Sequence, residues 1–293
     1  MSHVTRFAPS PTGPLHLGHA YSALIAYDRA KAQGGKFLLR IEDIDRQRSK
    51  PEWEALIYED LHWLGISWEE PTMRQSDRLA EYRAALDDLW ARGALYLCHC
   101  SRRDIEAALS APQETMEPTS GPDGPIYPGT CRDLRDFLPH QTRPDGALRL
   151  RMGDVENDYF GQHDAPHHAS FVETGFGPGG ETGQICYGDF AKTLGDIVLS
   201  RRDFLGSYHL SVVLDDAAQG ITEVVRGQDL FEATKIHVIL QWLMGLPTPS
   251  YHHHRLIRDQ AGKRLAKRDD ARAIRQYRAD GASPDDIRRM VGL

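Results

Sequence analysis

The start of the chain alternates apolar and polar positions in a way that predicts one strand–helix–strand unit. Between Leu17 and Leu24 apolar residues recur at i, i+3, i+4 and i+7, which is the spacing of a helix with one buried face. Gly34-Gly35 ends this helix, and the apolar run at 36–41 (KFLLRI) then predicts a buried strand. With a short strand at 3–5, the segment forms a predicted β-α-β unit, whose two strands are parallel.

Helix and strand patterns continue to alternate along the chain and favour an α/β fold. Further helices are predicted at 51–64, 77–92, 236–243 and 283–289. Further strands are predicted at 94–97, 147–152, 208–216, 221–226 and 251–257. Residues 155–190 contain many Gly and His with little periodicity, which predicts a long irregular insertion. The simplest architecture is a parallel nucleotide-binding sheet that is interrupted over roughly residues 95–195.

Composition limits the class of protein more than it identifies a function. The 293 residues allow one large domain or two, and 40% hydrophobic with 26% charged residues is ordinary for a globular protein. No run of about 18 apolar residues predicts a membrane span, and no apolar signal segment begins the chain, so a cytoplasmic protein is expected. The net charge of −7 gives no support to nucleic-acid binding but does not exclude it, because a local basic face is sufficient.

The turn-forming segment at 6–20 (RFAPSPTGPLHLGHA) has the chemistry of an anion site. It leads directly into a predicted helix, whose N-terminal N–H groups and dipole favour a phosphate. Gly13 and Gly18 permit close approach of a ligand to the backbone, and His16 and His19 can donate hydrogen bonds to anionic oxygens. Taken alone, however, an H-x-x-H pattern is common by chance, and helical histidines usually belong to the core or the surface.

Three other polar clusters are open to more than one interpretation. The acidic string at 42–45 (EDID) follows a predicted strand at the sheet edge where ligands bind, but it also fits a solvated turn. His163, His167 and His168 favour a polar loop over a metal site. The run at 252–254 (HHH) lies in a predicted strand, where neighbouring side chains face opposite sides, which argues against a metal site.

Three of the four cysteines have the spacing of a zinc site. Cys98 and Cys100 form a C-x-C pair and Cys131 follows at a distance, while Zn²⁺ prefers four soft or borderline ligands in a tetrahedron. The absence of a secretory signal argues against disulfides. From the spacing alone, unligated reduced thiols fit equally well, and His99 and Cys186 compete for the fourth position.

Several strings together resemble class I aminoacyl-tRNA synthetases, and more narrowly their glutamyl and glutaminyl branch. The string at 6–19 is similar to the nucleotide-binding segment of that family, and R-I-E-D-x-D at 40–45 recurs in its glutamyl members. Y-H-L-x-V-V-x-D-D at 208–216, followed by T-E-V-V-R-G at 222–227, resembles the family's amino-acid pocket. The resemblance covers nearly the whole chain, and 155–190 is the least matched part.

GKRLAKR at 262–268 resembles the second motif of the family in its K-L-S-K form. The alignment places Lys267 on the catalytic lysine, while Arg264 replaces the first Lys and Ala266 replaces the Ser. Positive charge is retained and a hydroxyl is lost, which affects the expected loop closure more than the phosphate contact. In a shifted register Lys263 could serve instead.

The resemblance implies a class I synthetase nucleotide-binding (Rossmann-like) parallel sheet formed by 1–94 and 195–249. A zinc-containing insertion at 95–194 splits this sheet, and 250–293 holds the second-motif loop with a short C-terminal helical segment. The implied reaction is activation of glutamate to glutamyl-adenylate with ATP, which Mg²⁺ accompanies, by a protein expected to be monomeric.

The resemblance also assigns roles residue by residue. The implied catalytic residues are His16, His19 and Lys267. The implied glutamate contacts are Arg6, Ala8, Ser10, Glu42, Tyr208 and Arg226. The implied ATP contacts are Pro9, Thr12, Gly18, His19, Leu265 and Lys267, with His253 nearby. The implied zinc ligands are Cys98, Cys100, Tyr127 and Cys131. In these assignments the Glu42 carboxylate meets the substrate ammonium group, and the four zinc ligands leave no open position, which makes that site structural.

Few residues follow Arg268, so we expect no anticodon-binding region of the kind that continues a glutamyl-tRNA synthetase. The resemblance is therefore better to the branch that has the catalytic half alone and attaches glutamate to the queuosine base in the anticodon of tRNA(Asp). Two alternatives stay open. One is charging of tRNA(Glu) at its 3′ adenosine, and the other is a non-catalytic RNA-binding relic in which the altered second motif no longer works.

Overall fold

Parallel strands form the part of the fold that positions the candidate site, as the sequence predicts. The computed structural model describes residues 2–109, 120–134, 141–162, 169–201, 206–258 and 272–293. The strands are β1 (Val4–Phe7), β2 (Lys36–Ile41), β3 (Glu69–Arg74), β4 (Leu95–Cys98), β5 (Ser120–Gly121), β6 (Gly124–Pro125), β7 (Ala147–Leu150), β8 (Ala169–Glu173), β9 (Gly183–Tyr187), β10 (Val198–Ser200), β11 (Glu223–Gly227) and β12 (Ser250–His254). The helices are α1 (Leu17–Ala32), α2 (Pro51–Trp63), α3 (Leu79–Ala91), α4 (Arg102–Leu109), α5 (Met152–Gln162), α6 (Phe190–Thr193), α7 (Tyr208–Ala218), α8 (Ala233–Leu243), α9 (Ile274–Ala279) and α10 (Pro284–Val291). Short 3₁₀ helices occur at Gln75–Arg78 and Gln228–Leu230.

The elements β1, α1 and β2 form the β-α-β unit that the sequence predicts. β1 pairs in parallel with β2, and β3 adds a third parallel strand on the other side of β2. α1 ends before Gly34, which adopts a φ of 60° that favours glycine. The face of α1 between Leu17 and Leu24 is buried in a core cluster with Phe37 and Leu39 of β2.

A second parallel ladder lies beside the first. β11 pairs in parallel with β12, β12 pairs in parallel with β8, and β9 is antiparallel to β8. The two ladders meet at Thr222, whose backbone N–H donates to the Val4 carbonyl (3.0 Å) and whose hydroxyl oxygen accepts from the Val4 N–H (2.8 Å). The carboxyl ends of β1, β2, β11 and β12 consequently lie at one edge, where open α/β sheets bind ligands.

A separate antiparallel sheet and the C-terminal helices complete the described fold. The sheet has the strand order β10-β7-β4, and β5 pairs with β6 in a short hairpin. α10 starts at the predicted cap, because the Ser283 hydroxyl accepts from the Asp286 N–H (3.2 Å). Arg288 of this helix forms two hydrogen bonds with Asp28 of α1 (2.7 and 2.9 Å). Within the described residues, none of the helices combines the length and the apolar character that crossing a membrane requires.

The apolar run at 208–216 forms a helix, so the prediction of a buried strand there is wrong. α7 begins after Ser207, whose hydroxyl accepts from the Leu210 N–H (3.3 Å). The core surrounds this helix on most sides, and even Asp215 and Asp216 are buried. A helix that is buried nearly all round lacks a polar face, and its sequence cannot be told from that of a buried strand by periodicity alone.

The prediction of an irregular insertion at 155–190 is also wrong, because much of the described part is regular. β8 and β9 form an antiparallel pair, and β8 extends the parallel ladder by pairing Glu173 with Tyr251 of β12. The strands are short and a Gly-rich turn separates them, which leaves too few positions for a periodic pattern. His163, His167 and His168 lie outside the described residues.

Asp60 of α2 is buried, and its carboxylate oxygens have no hydrogen-bond partner among the described residues. Burial, followed by the charge of Glu59, raises the pKa of Asp60 to about 7, against the opposing effect of Arg275 and Arg278. Because the folded chain holds this proton more tightly than the unfolded chain, stability is lost as the pH rises from about 4 to about 7. Asp60→Asn should therefore raise the free energy of unfolding by about 1–3 kcal/mol at pH 8 and by less at pH 5. Urea unfolding at both pH values tests this, with the exposed Glu52→Gln as control, and an equal gain at both would contradict it.

Candidate active site

A cavity of about 330 Å³ opens at the edge where the carboxyl ends of the parallel strands meet. It brings together residues that are far apart in sequence and that the resemblance assigns to glutamate and ATP. The assigned residues that line it are Arg6, Ala8, His16, Gly18, His19, Glu42, Tyr208 and Arg226. Its size is within the range of small-molecule sites, and its charged side chains suit a charged ligand.

Two histidines cap the N-terminus of α1 and border the cavity. The Nδ1 atom of His16 accepts a hydrogen bond from the Gly18 N–H (3.1 Å), and that of His19 accepts from the His16 N–H (3.2 Å). A neutral imidazole that accepts at Nδ1 carries its proton on Nε2, so each ring has an N–H donor at Nε2. A Cβ at Gly18 would lie 3.0 Å from Cε1 of His16, so glycine keeps this ring in place. Capping therefore selects the tautomers that can donate to phosphate oxygens.

Arg6 and Glu42 are linked by two buried residues for which the sequence predicts no role, Arg40 and Asp216. Arg6 Nε donates to Asp216 Oδ1 (3.0 Å), and Arg40 Nη1 donates to the same oxygen (2.6 Å). Arg40 Nη2 also donates to Glu42 Oε1 (3.3 Å). Arg40 lies in the apolar run of β2, and an arginine buried in a strand normally pairs with an anion. That signal was present in the sequence, but its partner lies on α7, whose structure was not predicted.

The charges of this network shift the pKa values of its acids in opposite directions. Burial raises the pKa of Glu42 above its ordinary value, and the guanidinium groups of Arg40 and Arg6 oppose the shift only in part. Burial also acts to raise the pKa of Asp216, but Arg6 and Arg40 outweigh it and lower that pKa. Asp216 is thus the permanent counter-ion of the two arginines, while Glu42 keeps a carboxylate that an ammonium ligand would stabilise.

Arg226 of β11 is held by three neutral side chains. Its Nε donates to His253 Nε2 (3.2 Å), its Nη1 donates to His237 Nδ1 (3.0 Å), and its Nη2 donates to Thr234 Oγ1 (2.6 Å). His253 is fully buried, and the next residue, His254, lines the cavity instead. His237 was missed because a histidine within the apolar stripe of a helix resembles an ordinary core residue.

The remaining predicted contacts lie beside the cavity or outside the described residues. Pro9, Ser10 and Thr12 belong to the loop between β1 and α1 and are not among the described residues that line the cavity. This loop is joined to the end of β2, because the Glu42 N–H donates to the Pro9 carbonyl (3.0 Å). The second-motif residues lie outside the described residues, and they are Lys263, Arg264, Leu265, Ala266 and Lys267.

The described residues on either side of the second motif nevertheless lie at the cavity or next to a residue that lines it. Residues 254–257, which precede the segment at 259–271, line the cavity. On the other flank, the Ile274 N–H donates to the Leu15 carbonyl (2.9 Å), directly beside the histidine cap of α1. The segment that holds the second motif therefore starts after a wall of the cavity and is followed by Ala273, which pairs with the lining residue His16.

The predicted zinc ligands form a separate cluster. The thiol sulfurs of Cys98, Cys100 and Cys131 lie within 4.8 Å of one another. The hydroxyl oxygen of Tyr127 lies 3.5 Å from Cys98 Sγ and 3.3 Å from Cys100 Sγ. Three sulfurs and one phenol oxygen gathered around one point fit the four-ligand requirement of a structural zinc ion.

The competing fourth ligands do not join this cluster. Among the described residues, the group that could hold a metal contains the three thiols but neither His99 nor Cys186. Cys186 is exposed on β9. The Tyr127 ring is further held in place by the guanidinium group of Arg149, 3.8 Å from the ring centroid.

Removing the phenol oxygen should weaken metal binding. We expect Tyr127→Phe to bind zinc roughly ten- to a hundredfold more weakly than the unmodified chain, because one donor is lost without a change in packing volume. Tyr96→Phe is the matched control, since Tyr96 lies in the same apolar cluster but donates to Asp196 (2.6 Å). Zinc content after dialysis against a weak chelator measures the difference, and unchanged content in Tyr127→Phe would exclude the tyrosine as a ligand.

Comparison with known proteins identifies relatives that share nearly the whole chain. Residues 3–166 and 181–293 match the family model described as tRNA synthetases class I (E and Q), catalytic domain. A relative from Rhodobacter capsulatus named glutamyl-Q tRNA(Asp) synthetase is 59% identical over 99% of this chain and 100% of its own length. One of the same name from Nocardia farcinica is 39% identical over 98% of this chain and 82% of its own length.

Solved structures also resemble the fold. A glutamate tRNA ligase from Elizabethkingia meningosepticum in complex with its amino acid has a TM-score of 0.67 and 27% identity, and the match covers 92% of this chain and 53% of that chain. A glutamate-tRNA synthetase from Elizabethkingia anophelis has a TM-score of 0.66 and 26% identity. The present chain therefore spans about half the length of these two structures.

Proposed function

This chain belongs to the class I tRNA synthetases of the glutamate and glutamine branch and has their catalytic fold, and we propose that it activates L-glutamate with ATP and transfers the glutamyl group to the queuosine base in the anticodon of tRNA(Asp). The observation that carries the proposal is the single cavity that combines Arg226, Tyr208 and Glu42 with the histidine cap of α1. The full-length relatives named for this activity support the acceptor.

The proposed activation step needs no covalent help from the protein. An α-carboxylate oxygen of glutamate attacks the α-phosphorus of ATP. The bond between the α-phosphorus and the oxygen that bridges it to the β-phosphate breaks, and pyrophosphate leaves. In the second step a hydroxyl oxygen of queuosine attacks the acyl carbon of glutamyl-adenylate, its proton passes to solvent, and AMP leaves with the electron pair of the broken bond between the acyl carbon and the phosphate oxygen. Mg²⁺ accompanies ATP and neutralises phosphate charge. Positioning and charge stabilisation by the protein then account for the rate.

The cavity residues have complementary roles in this proposal. The Nε2–H groups of His16 and His19 donate to phosphate oxygens, where negative charge develops. Glu42 receives the substrate ammonium group, and Arg226 with Tyr208 receives a carboxylate. Arg6 and Ala8 also line the glutamate end of the cavity, whereas Ser10 is assigned by resemblance.

Some of the proposed ATP contacts lie outside the described residues. Pro9, Thr12 and Gly18 in the loop and first turn of α1 are the proposed ATP contacts. Lys267 and Leu265 are proposed from resemblance, and the position of 254–257 at the cavity and of Ala273 next to His16 supports this assignment. We further propose a structural Zn²⁺ held by the three clustered thiols with Tyr127, and a monomer that acts in the cytoplasm, where tRNA and ATP are available.

Two measurements test the proposal and its alternatives. Glutamate-dependent ATP–pyrophosphate exchange should occur without tRNA, because the amino-acid and nucleotide sites share the cavity. Labelled glutamate should then appear in the anticodon fragment of queuosine-containing tRNA(Asp), and tRNA(Asp) without queuosine should accept none. Label on the 3′ adenosine of tRNA(Glu) would indicate a tRNA-charging enzyme instead. A chain without exchange for any amino acid would be a non-catalytic relic.

A further inference from the structure

The acceptors that hold Arg226 differ from those that hold the other arginine of the cavity. Arg6 forms a bidentate pair with the Asp216 carboxylate, at 3.0 and 3.4 Å. In contrast, no carboxylate of the described residues lies within ion-pair distance of Arg226, although its side chain is buried. A buried guanidinium normally pairs with an anion, so its place next to the cavity requires an explanation.

The hydrogen-bond pattern settles the protonation of both histidines that contact Arg226. A guanidinium group only donates, so His237 Nδ1 and His253 Nε2 must both accept. The remaining ring proton of His237 then lies on Nε2 and is donated to His209 Nδ1 (3.1 Å). The remaining ring proton of His253 lies on Nδ1 and is donated to Glu173 (2.5 Å). Each histidine contacts Arg226 as a neutral acceptor.

The environment of His237 keeps it neutral. The residue is 2% exposed, and burial followed by the positive charge of Arg226 holds its pKa well below the ordinary value. On the far side of His209, the Asp123 carboxylate lies 3.5 Å from His209 Nε2. The Glu173 carboxylate behind His253 is engaged by the backbone N–H groups of Gly175 (2.8 Å) and His253 (2.9 Å). Both carboxylates are thus separated from the guanidinium by at least one imidazole.

We infer that His237 is a specificity-determining positioning residue. It orients Arg226 through a neutral contact, so the guanidinium remains able to form an ion pair with the side-chain carboxylate of the substrate. The inference rests on the proposed function. Three of the five N–H donors of Arg226 are occupied, and no carboxylate of the described residues lies within ion-pair distance of the guanidinium. A substrate carboxylate completes the pair, whereas the neutral amide of glutamine does not.

Replacing His237 with asparagine and with aspartate provides a matched test. Both side chains place an oxygen near the position of Nδ1 and have nearly the same shape, but only aspartate is anionic. An aspartate beside Arg226 would neutralise the guanidinium before substrate binds. We expect the KM for glutamate to be at least about tenfold higher in His237→Asp than in His237→Asn. The ratio of kcat/KM for glutamate to kcat/KM for glutamine should be lower in His237→Asp than in His237→Asn by a similar factor. The kcat at saturating glutamate should differ less between the two variants.

KM and kcat of His237→Asn and His237→Asp are measured by ATP–pyrophosphate exchange, with glutamate and with glutamine. Melting temperatures show that both variants fold. Equal KM values and equal glutamate preference in the two variants would overturn the inference. If His237→Asp does not fold, Thr234→Asn and Thr234→Asp repeat the comparison at the Nη2 contact. Absence of glutamate-dependent exchange in the unmodified chain would instead contradict the proposed function, so the two failures are distinguishable.

Discussion

Replacing His16 or His19 with asparagine is expected to lower glutamate-dependent ATP–pyrophosphate exchange by roughly ten- to a thousandfold. Asparagine can replace the capping function, because its Oδ1 can accept the backbone N–H that Nδ1 accepts at present, from Gly18 or His16. It lacks a donor at the position of Nε2. The loss should therefore appear in the rate of activation, while the melting temperature changes little.

The asparagine variants separate catalysis from helix stability, which alanine variants would not do. His16→Ala would remove the cap and the donor together, at a cost of about 1 kcal/mol for the cap alone. His62→Asn on α2 is a suitable control, since this exposed histidine stacks on Trp68 outside the cavity. Normal exchange rates in both His16→Asn and His19→Asn would remove the pair from the mechanism. For Lys267→Ala the resemblance predicts a loss of similar size.

Replacing Glu42 with glutamine is expected to raise the KM for glutamate by roughly thirty- to a thousandfold, or about 2–4 kcal/mol. The carboxylate is largely buried, so its attraction for an ammonium group is weakly screened by water. Glutamine keeps the size of the side chain and the acceptor for Arg40 but removes the charge. Initial rates of exchange at varied glutamate concentrations measure the effect, with the exposed Glu81→Gln as control.

The pH dependence of KM gives this prediction a second readout. Burial raises the pKa of Glu42 above its ordinary value, so the empty site becomes protonated at a higher pH than an exposed glutamate. Protonation removes the charge that attracts the substrate ammonium group, so KM should rise as the pH falls through this raised pKa. Glu42→Gln should show no such rise. A pH-independent KM in the unmodified chain, or an unchanged KM in the variant, would exclude Glu42 from ammonium binding.

The β-α-β unit shows how far local patterns determine structure. The helical repeat at 17–24, the glycine pair and the apolar strand at 36–41 each depend on neighbours within a few residues, and the structure confirms all three. The strand prediction at 208–216 is wrong because the structure of that segment depends on residues far away in the sequence. Whether that apolar run becomes a helix or a strand depends on the core around it, which its own residues do not describe.

The candidate site shows the same contrast between what local patterns predict and what depends on distant residues. Residue types at strand ends and at the N-terminus of α1, together with the family resemblance, identified eight of the eighteen residues that line the cavity. The partners that set their charge were not identified. Arg40 and Asp216 lie 176 residues apart, and no spacing rule connects them.

The sequence by itself determined the family and supplied the candidate residues for the nucleotide, the amino acid and the metal, because the motifs that carry them consist of residue types at short spacings. Only the tertiary structure decided that Arg6 is paired with a carboxylate while Arg226 is held by neutral histidines, and that Glu42 has a raised pKa. Charge and protonation depend on which groups come into contact and on how much water is excluded, and both are properties of the packed chain.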